Sequence, residues 1–496
     1  MVANLADLVS AAAQARPRHP AIVTDQRITT WSEVDWQVRA VAGGLIARGL
    51  RPGTRVAIIQ SNTLEFVTSY FGILRAGMVA VPLNTGYTAP ELRAFQAEVD
   101  VRLVLAEPSL RPVLAALDVD VVYTGTEQWR RFTVGSSPLP TGPADPESLA
   151  VLMFTSGTSD RPKAAMLSHR ALLANLDQIG ALQDPPAITR DDVVLCVLPL
   201  FHIYALNATL GMVTRQAASI VLSERFDPAQ ALAAIRRHQV TTVAGAPPMY
   251  VAWSVQEGLA EALAGTRLLL SGAAPLPRNV MEQFQTLTGK PIWEGYGMTE
   301  CAPVITASLA AGRPKPGSVG RPLPGVEVQL RDEGGHPAVE GDPGEVLVRG
   351  PNLFSGYWPD GSGGPDEQGW FATGDVAYSD DDGDLRLVDR RRELIIVSGF
   401  NVYPREVEEV ISQMDGVLEV AVMGVTHPYT GEAVKAFVVL EPEAEVTAAD
   451  VLEFASSRLA RFKCPTIVDV VGGLPHSVTG KVSKSRLRDH EGVDPL

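Results

Sequence analysis

Four separated stretches of the chain carry residue types that could handle a phosphorylated ligand. The first, 155–163 (TSGTSDRPK), follows the apolar run 149–154. Hydroxyls and backbone amides in such a strand-to-loop segment can donate to phosphate oxygens, Gly157 permits close approach, and Lys163 adds a cation. An ordinary Ser/Thr-rich turn uses the same residues. A Walker-type loop is excluded, because neither Lys290 nor Lys481 is followed by Ser or Thr and neither is preceded by the glycine that opens that motif.

The second stretch, 294–300 (EGYGMTE), follows a predicted strand at 291–293. Gly295 and Gly297 would let the backbone lie against a planar or charged ligand, Tyr296 could stack on a base, and Glu300 is a candidate Mg²⁺ ligand. A dinucleotide fingerprint needs glycine where Glu300 stands; a tight loop capped by Thr299 is the plain alternative. The third, 369–375 (GWFATGD), is followed by Asp389 and Arg390. Asp375 could hold two ribose hydroxyls and Arg390 a phosphate or hydroxyl, although an aspartate in a glycine turn is ordinarily a turn residue. The fourth, 475–481 (PHSVTGK), ends in Lys481, ordinarily a solvated surface charge.

The elements that must position these residues follow from periodicity. Strand-length apolar runs (55–60, 78–82, 193–198, 219–222) alternate with helical segments such as 63–75, which implies an α/β fold with largely parallel sheets. After about residue 318 the texture shifts to shorter strands at 326–330 and 345–349, a turn-rich loop at 359–369 and a hairpin turn at 380–383. Beyond the basic run 390–392, a small α+β unit is expected, with strands near Leu394, Val420 and Ala436 and helices near Arg405 and Ala448. The domain boundary is placed at about Arg391.

Composition narrows the function class. A chain of 496 residues is expected to hold two or three domains. The net charge of −15 argues against nonspecific binding to nucleic acid or an anionic membrane. Cys196, Cys301 and Cys464 are isolated and lack metal-ligand spacing, so a reducing compartment is expected. No basic leader precedes an apolar run, and no uninterrupted apolar stretch of about 18 residues occurs. The expectation is a cytoplasmic protein without an integral membrane segment; peripheral membrane contact and a homodimer stay open.

Taken together and in order, the four stretches resemble the adenylate-forming superfamily of acyl-CoA synthetases, 4-coumarate–CoA ligases, luciferases and nonribosomal adenylation domains. The resemblance covers essentially the whole chain. It includes 199–207 (PLFHIYALN), 271–276 (SGAAPL), Gly344 to Trp358 and 398–404 (SGFNVYP). It implies a large N-terminal α/β domain (1–391) of several subdomains with the acid and ATP sites, and a small mobile α+β C-terminal domain (392–496) hinged at Arg392.

The resemblance also implies roles. Thr155, Ser156, Gly157, Thr158, Ser159 and Lys163 would cradle the β- and γ-phosphates of ATP. Ala273, Ala274, Gly295 and Tyr296 would line the adenine, Thr299 would meet the α-phosphate, Glu300 would bind Mg²⁺, and Asp375 and Arg390 would hold the ribose. Lys481 would bridge the substrate carboxylate and the α-phosphate, offsetting the repulsion between two anions. His202 would stand where the acyl, AMP and CoA sites meet. A pivot at Arg392 would then bring Ser398, Gly399, Phe400 and Asn401 to a pantetheine tunnel for attack by the CoA thiol. Family phosphate loops commonly carry glycine where this chain has Asp160 and Ala164. Asp160 sets an anion beside a polyphosphate, and weaker ATP binding than in a glycine version is expected.

CoA is the expected acceptor, because no carrier domain follows Lys481. Tyr204, Gly297, Pro303 and Val304 match positions that line the aromatic acid pocket of 4-coumarate–CoA ligases. Leu270 and Ile396, however, replace lysines of those plant enzymes, and 398–404 looks like bacterial long-chain fatty acid–CoA ligases. A medium- to long-chain fatty acid is the favoured substrate and an aryl-propenoic acid the second choice. A luciferase-like monooxygenase and a catalytically weak nucleotide-binding relative are the readings from other classes.

Overall fold

The computed structural model describes residues 3–134, 139, 145–155, 162–332, 334–339, 341–390, 395–397, 400–427, 431–442, 444–476, 482–484 and 486–487. At 389, 390, 396, 400, 401 and 431 the backbone alone is described.

The expected parallel sheets are present. One has a parallel core of six strands, in the spatial order Pro20–Val23, Ser219–Leu222, Val193–Cys196, Thr242–Gly245, Leu268–Ser271 and Ile292–Gly297. Antiparallel strands Val304–Ala307 and Arg321–Pro322 extend one edge, and Ile28–Thr30 the other. A second sheet runs Asp120–Tyr123, Val101–Ala106, Arg55–Ile59, Val79–Pro82 and Leu149–Thr155 in parallel, then ends on the antiparallel strand Lys163–Ser168. Continuous apolar runs suit strands covered on both faces; Val79–Pro82 and Ser219–Leu222 are buried throughout.

Helices pack between and around these sheets. Leu64–Arg75 starts where the Thr63 hydroxyl accepts from the Phe66 amide at 3.2 Å. Its last residue, Arg75, is wholly buried and pairs with Asp35 at 2.8 Å. That pairing satisfies a cation that could not otherwise sit in an apolar interior.

A four-stranded antiparallel sheet follows, ordered Glu327–Arg331, Gly344–Arg349, Phe371–Ser379 and Leu385–Arg390. Its last hairpin turns where expected. The Gly383 amide donates to the Asp380 carbonyl at 2.7 Å, and the Asp380 carboxylate accepts from the amides of Asp382 and Asp384. The C-terminal unit is a smaller sheet of Phe400–Val402, Ile395–Val397, Gly431–Leu440 and Val417–His427, with Ile467–Val470 added parallel to Gly431–Leu440. Helices Pro404–Ile411 and Ala448–Ser456 bury an apolar stripe with it.

One expected element is too short. The strand predicted at 291–293 runs on as Ile292–Gly297, because Gly295 and Tyr296 pair antiparallel with Ala307 and Thr306. Cross-strand pairing overrides the local turn preference of a glycine-rich segment. No helix among the described residues is long and apolar enough to cross a membrane.

Candidate active site

The C-terminal ends of the first sheet's strands open onto a cavity of about 1120 Å³. Residues far apart in the chain meet there: Thr155 and Lys163, His202 and Tyr204, Ala273, Gly295, Tyr296 and Gly297, Thr299 and Glu300, Pro303 and Val304. Val482, Ser483 and Lys484 of the C-terminal unit complete its lining. A crevice beyond the carboxyl ends of parallel strands is where such folds bind ligands.

Thr155 and Lys163 face each other in register across an antiparallel pair. The first candidate stretch is therefore the connection of a hairpin, and Lys163 opens its return strand. Ser156, Gly157, Thr158, Ser159, Asp160 and Arg161 lie outside the described residues, as do Arg392, Ser398, Gly399 and Lys481.

Ala273 holds φ +71, a left-handed conformation that favours glycine. With Ser271 and Gly272 it lines the cavity. The 271–276 loop is tied to the neighbouring strand, where the Leu276 amide donates to Glu294 Oε1 at 3.1 Å. Ala274 is half-buried and lies outside the cavity lining. Glu294 is 6% exposed, and burial pushes its carboxyl up to about 7.

Tyr296 is 8% exposed and its hydroxyl donates to Asp375 Oδ2 at 2.6 Å. Burial first, and the Asp375 carboxylate second, hold this phenol well above its ordinary pKa, so it remains a donor. Asp375 stands opposite Arg390 in the strand register. The third candidate stretch and Arg390, 15 positions apart in sequence, thus become neighbours across one ladder. The Arg390 side chain is outside the described residues.

Glu300 lies on a single 3₁₀ turn, Thr299–Cys301, and is 5% exposed. Tyr357, to which the sequence assigned no role, donates its hydroxyl to Glu300 Oε1 at 2.7 Å. A buried carboxylate offers the hard oxygen donors that suit Mg²⁺.

One side of the cavity is built on Tyr204–Gly211, a π-helical turn of the kind that often marks functional sites. Asn207 anchors it, donating to the carbonyls of Leu172 at 3.1 Å and Ala302 at 2.7 Å. Asn175 fixes Val304 from the other side through both its amide and its carbonyl, at 3.1 and 2.8 Å. Tyr204 lies against Gly272, where a Cβ would approach its ring to 3.1 Å. Further in, Ile179, Leu182, Ala187, Ile188, Leu309 and Leu323 make an apolar wall. Trp293, expected only as the end of a strand, lines the cavity beside Leu270, its partner in the parallel register. Burial brings the His202 imidazole down to about 4, so it is neutral near pH 7.

Phe400 and Asn401, expected at a CoA tunnel, lie on the short strand Phe400–Val402, and their side chains are outside the described residues. Among the described residues, the C-terminal unit reaches the cavity through Val482, Ser483 and Lys484, next to Lys481.

Comparison with known proteins agrees with this architecture. The profile of the AMP-binding enzyme family matches residues 9–358, and that of the AMP-binding enzyme C-terminal domain matches 406–481. The chain is 33% identical to a long-chain-fatty-acid–CoA ligase of Yersinia pestis, covering 98% of this chain and 94% of the relative. It is 34% identical to a feruloyl-CoA synthase of an Amycolatopsis species, covering 97% of each. The crystal structure of ATP-bound MatB from Rhodopseudomonas palustris superposes with a TM-score of 0.93 at 34% identity, over 99% of both chains. With its large α/β part, its small C-terminal sheet and one cavity lined from both, the chain belongs to the AMP-binding enzyme family.

Proposed function

We propose that this protein is an AMP-forming acid–thiol ligase that joins a fatty acid to CoA in two steps. In the first, a carboxylate oxygen attacks the α-phosphorus of ATP, the bond to the bridging oxygen breaks, and acyl-adenylate and pyrophosphate result. In the second, the CoA thiol loses its proton and attacks the acyl carbonyl, and AMP leaves with the electron pair. No protein nucleophile is needed, which accords with Cys196 and Cys301, buried thiols whose pKa values are raised by desolvation.

The observation that carries the reading is the convergence on one cavity of Lys163, Ala273, Tyr296, Thr299 and Glu300, with Asp375 bonded to Tyr296. In this proposal Lys163 and the 155–163 hairpin take the β- and γ-phosphates. Ala273, Gly295 and Tyr296 take the adenine, and Asp375 with Arg390 the ribose; Ala274, outside the lining, takes no part. Thr299 would meet the α-phosphate and Glu300 would hold Mg²⁺, which when bound would neutralise phosphate charge. Lys481 would supply the cation between carboxylate and α-phosphate. Val482, Ser483 and Lys484 at the cavity edge support an orientation suited to the first step. The second step would require the C-terminal unit to turn about Arg392 and present 398–401.

The apolar wall from Ile179 to Leu323 supports an uncharged, flexible tail. A flat slot between Tyr204 and Gly272, Gly295 and Gly297 favours an aryl-propenoic acid as the second reading. Acid-dependent exchange of pyrophosphate into ATP, run on saturated acids of increasing length and on cinnamate-type acids, tests both. Exchange and CoA thioester with the saturated series are expected. Exchange confined to the aryl acids would select the second reading, and none with any acid would overturn the ligase itself.

A further inference from the structure

The segment 354–358 forms a backbone bridge between two parts of the site. At one end the Phe354 amide donates to the Glu300 carbonyl at 2.9 Å. At the other, Ser355 and Trp358 donate to the carbonyls of Met166 and Ala164, both at 2.9 Å, and the Met166 amide donates to Gly356 at 3.0 Å. These bonds join the bridge to Lys163–Ser168, the return strand of the phosphate-loop hairpin. Gly356 makes the path possible. Its φ is +89, and a Cβ there would fall 2.0 Å from the Gly361 carbonyl oxygen.

Tyr357 sits on this bridge, opposite Ala165. Its side chain makes two contacts of different chemistry. The hydroxyl donates to Glu300 Oε1 at 2.7 Å. The ring lies under the Lys163 ammonium, with Nζ 5.1 Å from the centroid. A phenol bonded to a buried carboxylate limits its rotation, and an aromatic face attracts a cation within about 6 Å. Phe354 packs edge-on against the same ring, with centroids 5.1 Å apart and planes at 76°, fixing its orientation.

We propose that Tyr357 is a positioning residue that aligns two charged groups for MgATP. Its hydroxyl sets the Glu300 carboxylate for the metal and its ring sets the Lys163 ammonium for the phosphates. The proposal rests on the reading of Glu300 as the metal carboxylate and Lys163 as a phosphate contact, and it adds the group that couples them. The two arms are separable by substitution, because phenylalanine keeps the ring and removes the hydroxyl.

The test measures binding in the full chain. Mn²⁺ titrated against protein saturated with a nonhydrolysable ATP analogue, followed by electron paramagnetic resonance, reads the metal arm. The analogue titrated without metal, by calorimetry, reads the phosphate arm. Tyr357→Phe is expected to weaken Mn²⁺ about tenfold, the size of losing a hydrogen bond to a charged group, with metal-free analogue affinity within about twofold of the parent. Tyr357→Met is expected to weaken both. Should Tyr357→Met not fold, a fluorinated phenylalanine at 357 keeps the shape and removes the negative ring face. A structural role alone would lower the melting temperature and leave the two affinities together. Unchanged Mn²⁺ affinity in Tyr357→Phe, or equal loss of metal-free analogue binding in Tyr357→Phe and Tyr357→Met, overturns the proposal. Glu300→Gln separates this from the underlying reading: if it binds Mn²⁺ like the parent, the metal assignment of Glu300 is wrong.

Discussion

The hydroxyl of Tyr296 is bonded to Oδ2 of Asp375 at 2.6 Å, joining a strand of the large parallel sheet to a strand of the antiparallel sheet that follows it. Tyr296 lines the cavity and also holds one carboxylate oxygen of Asp375, the residue proposed for the ribose. Tyr296→Phe keeps the ring against the cavity and removes this bond to the carboxylate. A hydrogen bond to a charged group is worth about 1.5–3 kcal/mol, so the ATP Michaelis constant should rise at least roughly tenfold. The turnover number should change less, because the bond acts before and during reaction alike. A Michaelis constant equal to the parent's would show that Asp375 is held by other partners.

Trp293 is the second residue whose importance is structural. Side chains alternate along a strand, so Trp293 and Gly295 share one face and Glu294 and Tyr296 the other, up to the irregularity between Tyr296 and Gly297. Tyr204, lying over Gly272, is on the face with Gly295. The cavity wall is thus bare backbone at Gly295 and carries a large ring at Trp293, two residues back along the strand. Trp293→Leu should open that part of the cavity. Each methylene newly accommodated is worth about 0.8 kcal/mol, or roughly fourfold in kcat/KM. The length optimum across saturated acids should move upward, with shorter acids losing. An unshifted optimum would mean that the tail passes elsewhere along the cavity.

Gly297 offers a sharper steric test. A Cβ there would lie 2.1 Å from the Pro303 carbonyl oxygen and 2.9 Å from its carbon. Both are backbone, and the same oxygen accepts from the Met298 amide at 3.0 Å. Gly297→Ala must displace the turn that carries Thr299 and Glu300. Overpacking of this kind costs about 1–3 kcal/mol. Adenylation should fall more than thermal stability, since the displaced atoms are at the site. A variant that melts lower but exchanges pyrophosphate at the parent's rate would place this turn outside the chemistry.

Much of this site is legible before folding because its stretches combine residue type with spacing. Thr63 ahead of an apolar helix, Asp380 ahead of Gly383, and the buried strand runs all act locally, and the elements formed within a residue or two of their expected bounds. What depends on pairing was hidden. The 294–297 segment reads as a loop by composition and is a strand because Val304–Ala307 lies beside it. Tyr296 was expected to stack on a base, and its hydroxyl proves to be committed to Asp375. Tyr357 belonged to a recognisable stretch, yet its partners Glu300 and Lys163 are 57 and 194 positions away, beyond any local signal. Trp293 resembled any apolar strand residue until the register set it beside Leu270.

Three buried titratable groups make stability depend on pH in opposite senses. Burial brings the imidazoles of His169 and His202 to about 4 from an ordinary 6.5. Between those values the unfolded chain binds more protons than the folded one at both sites, so stability rises with pH there. Glu294 does the reverse. Its carboxyl is held up to about 7 from 4.5, so the folded chain keeps a proton that the unfolded chain has lost. Its contribution falls as pH rises through that window, and the loss is complete above about 7. Two histidines outweigh one glutamate up to pH 6.5; beyond it Glu294 alone remains. Glu294→Gln retains an Oε1 for the Leu276 amide and abolishes the ionisation. Its melting temperature, relative to the parent's, should therefore be higher at pH 8 than at pH 5. Calorimetry at both values checks this. A difference that does not vary with pH would mean that Glu294 ionises in the folded chain much as it does in water, with a charge from the adjoining Pro404–Ile411 helix, where Arg405 lies, compensating its burial.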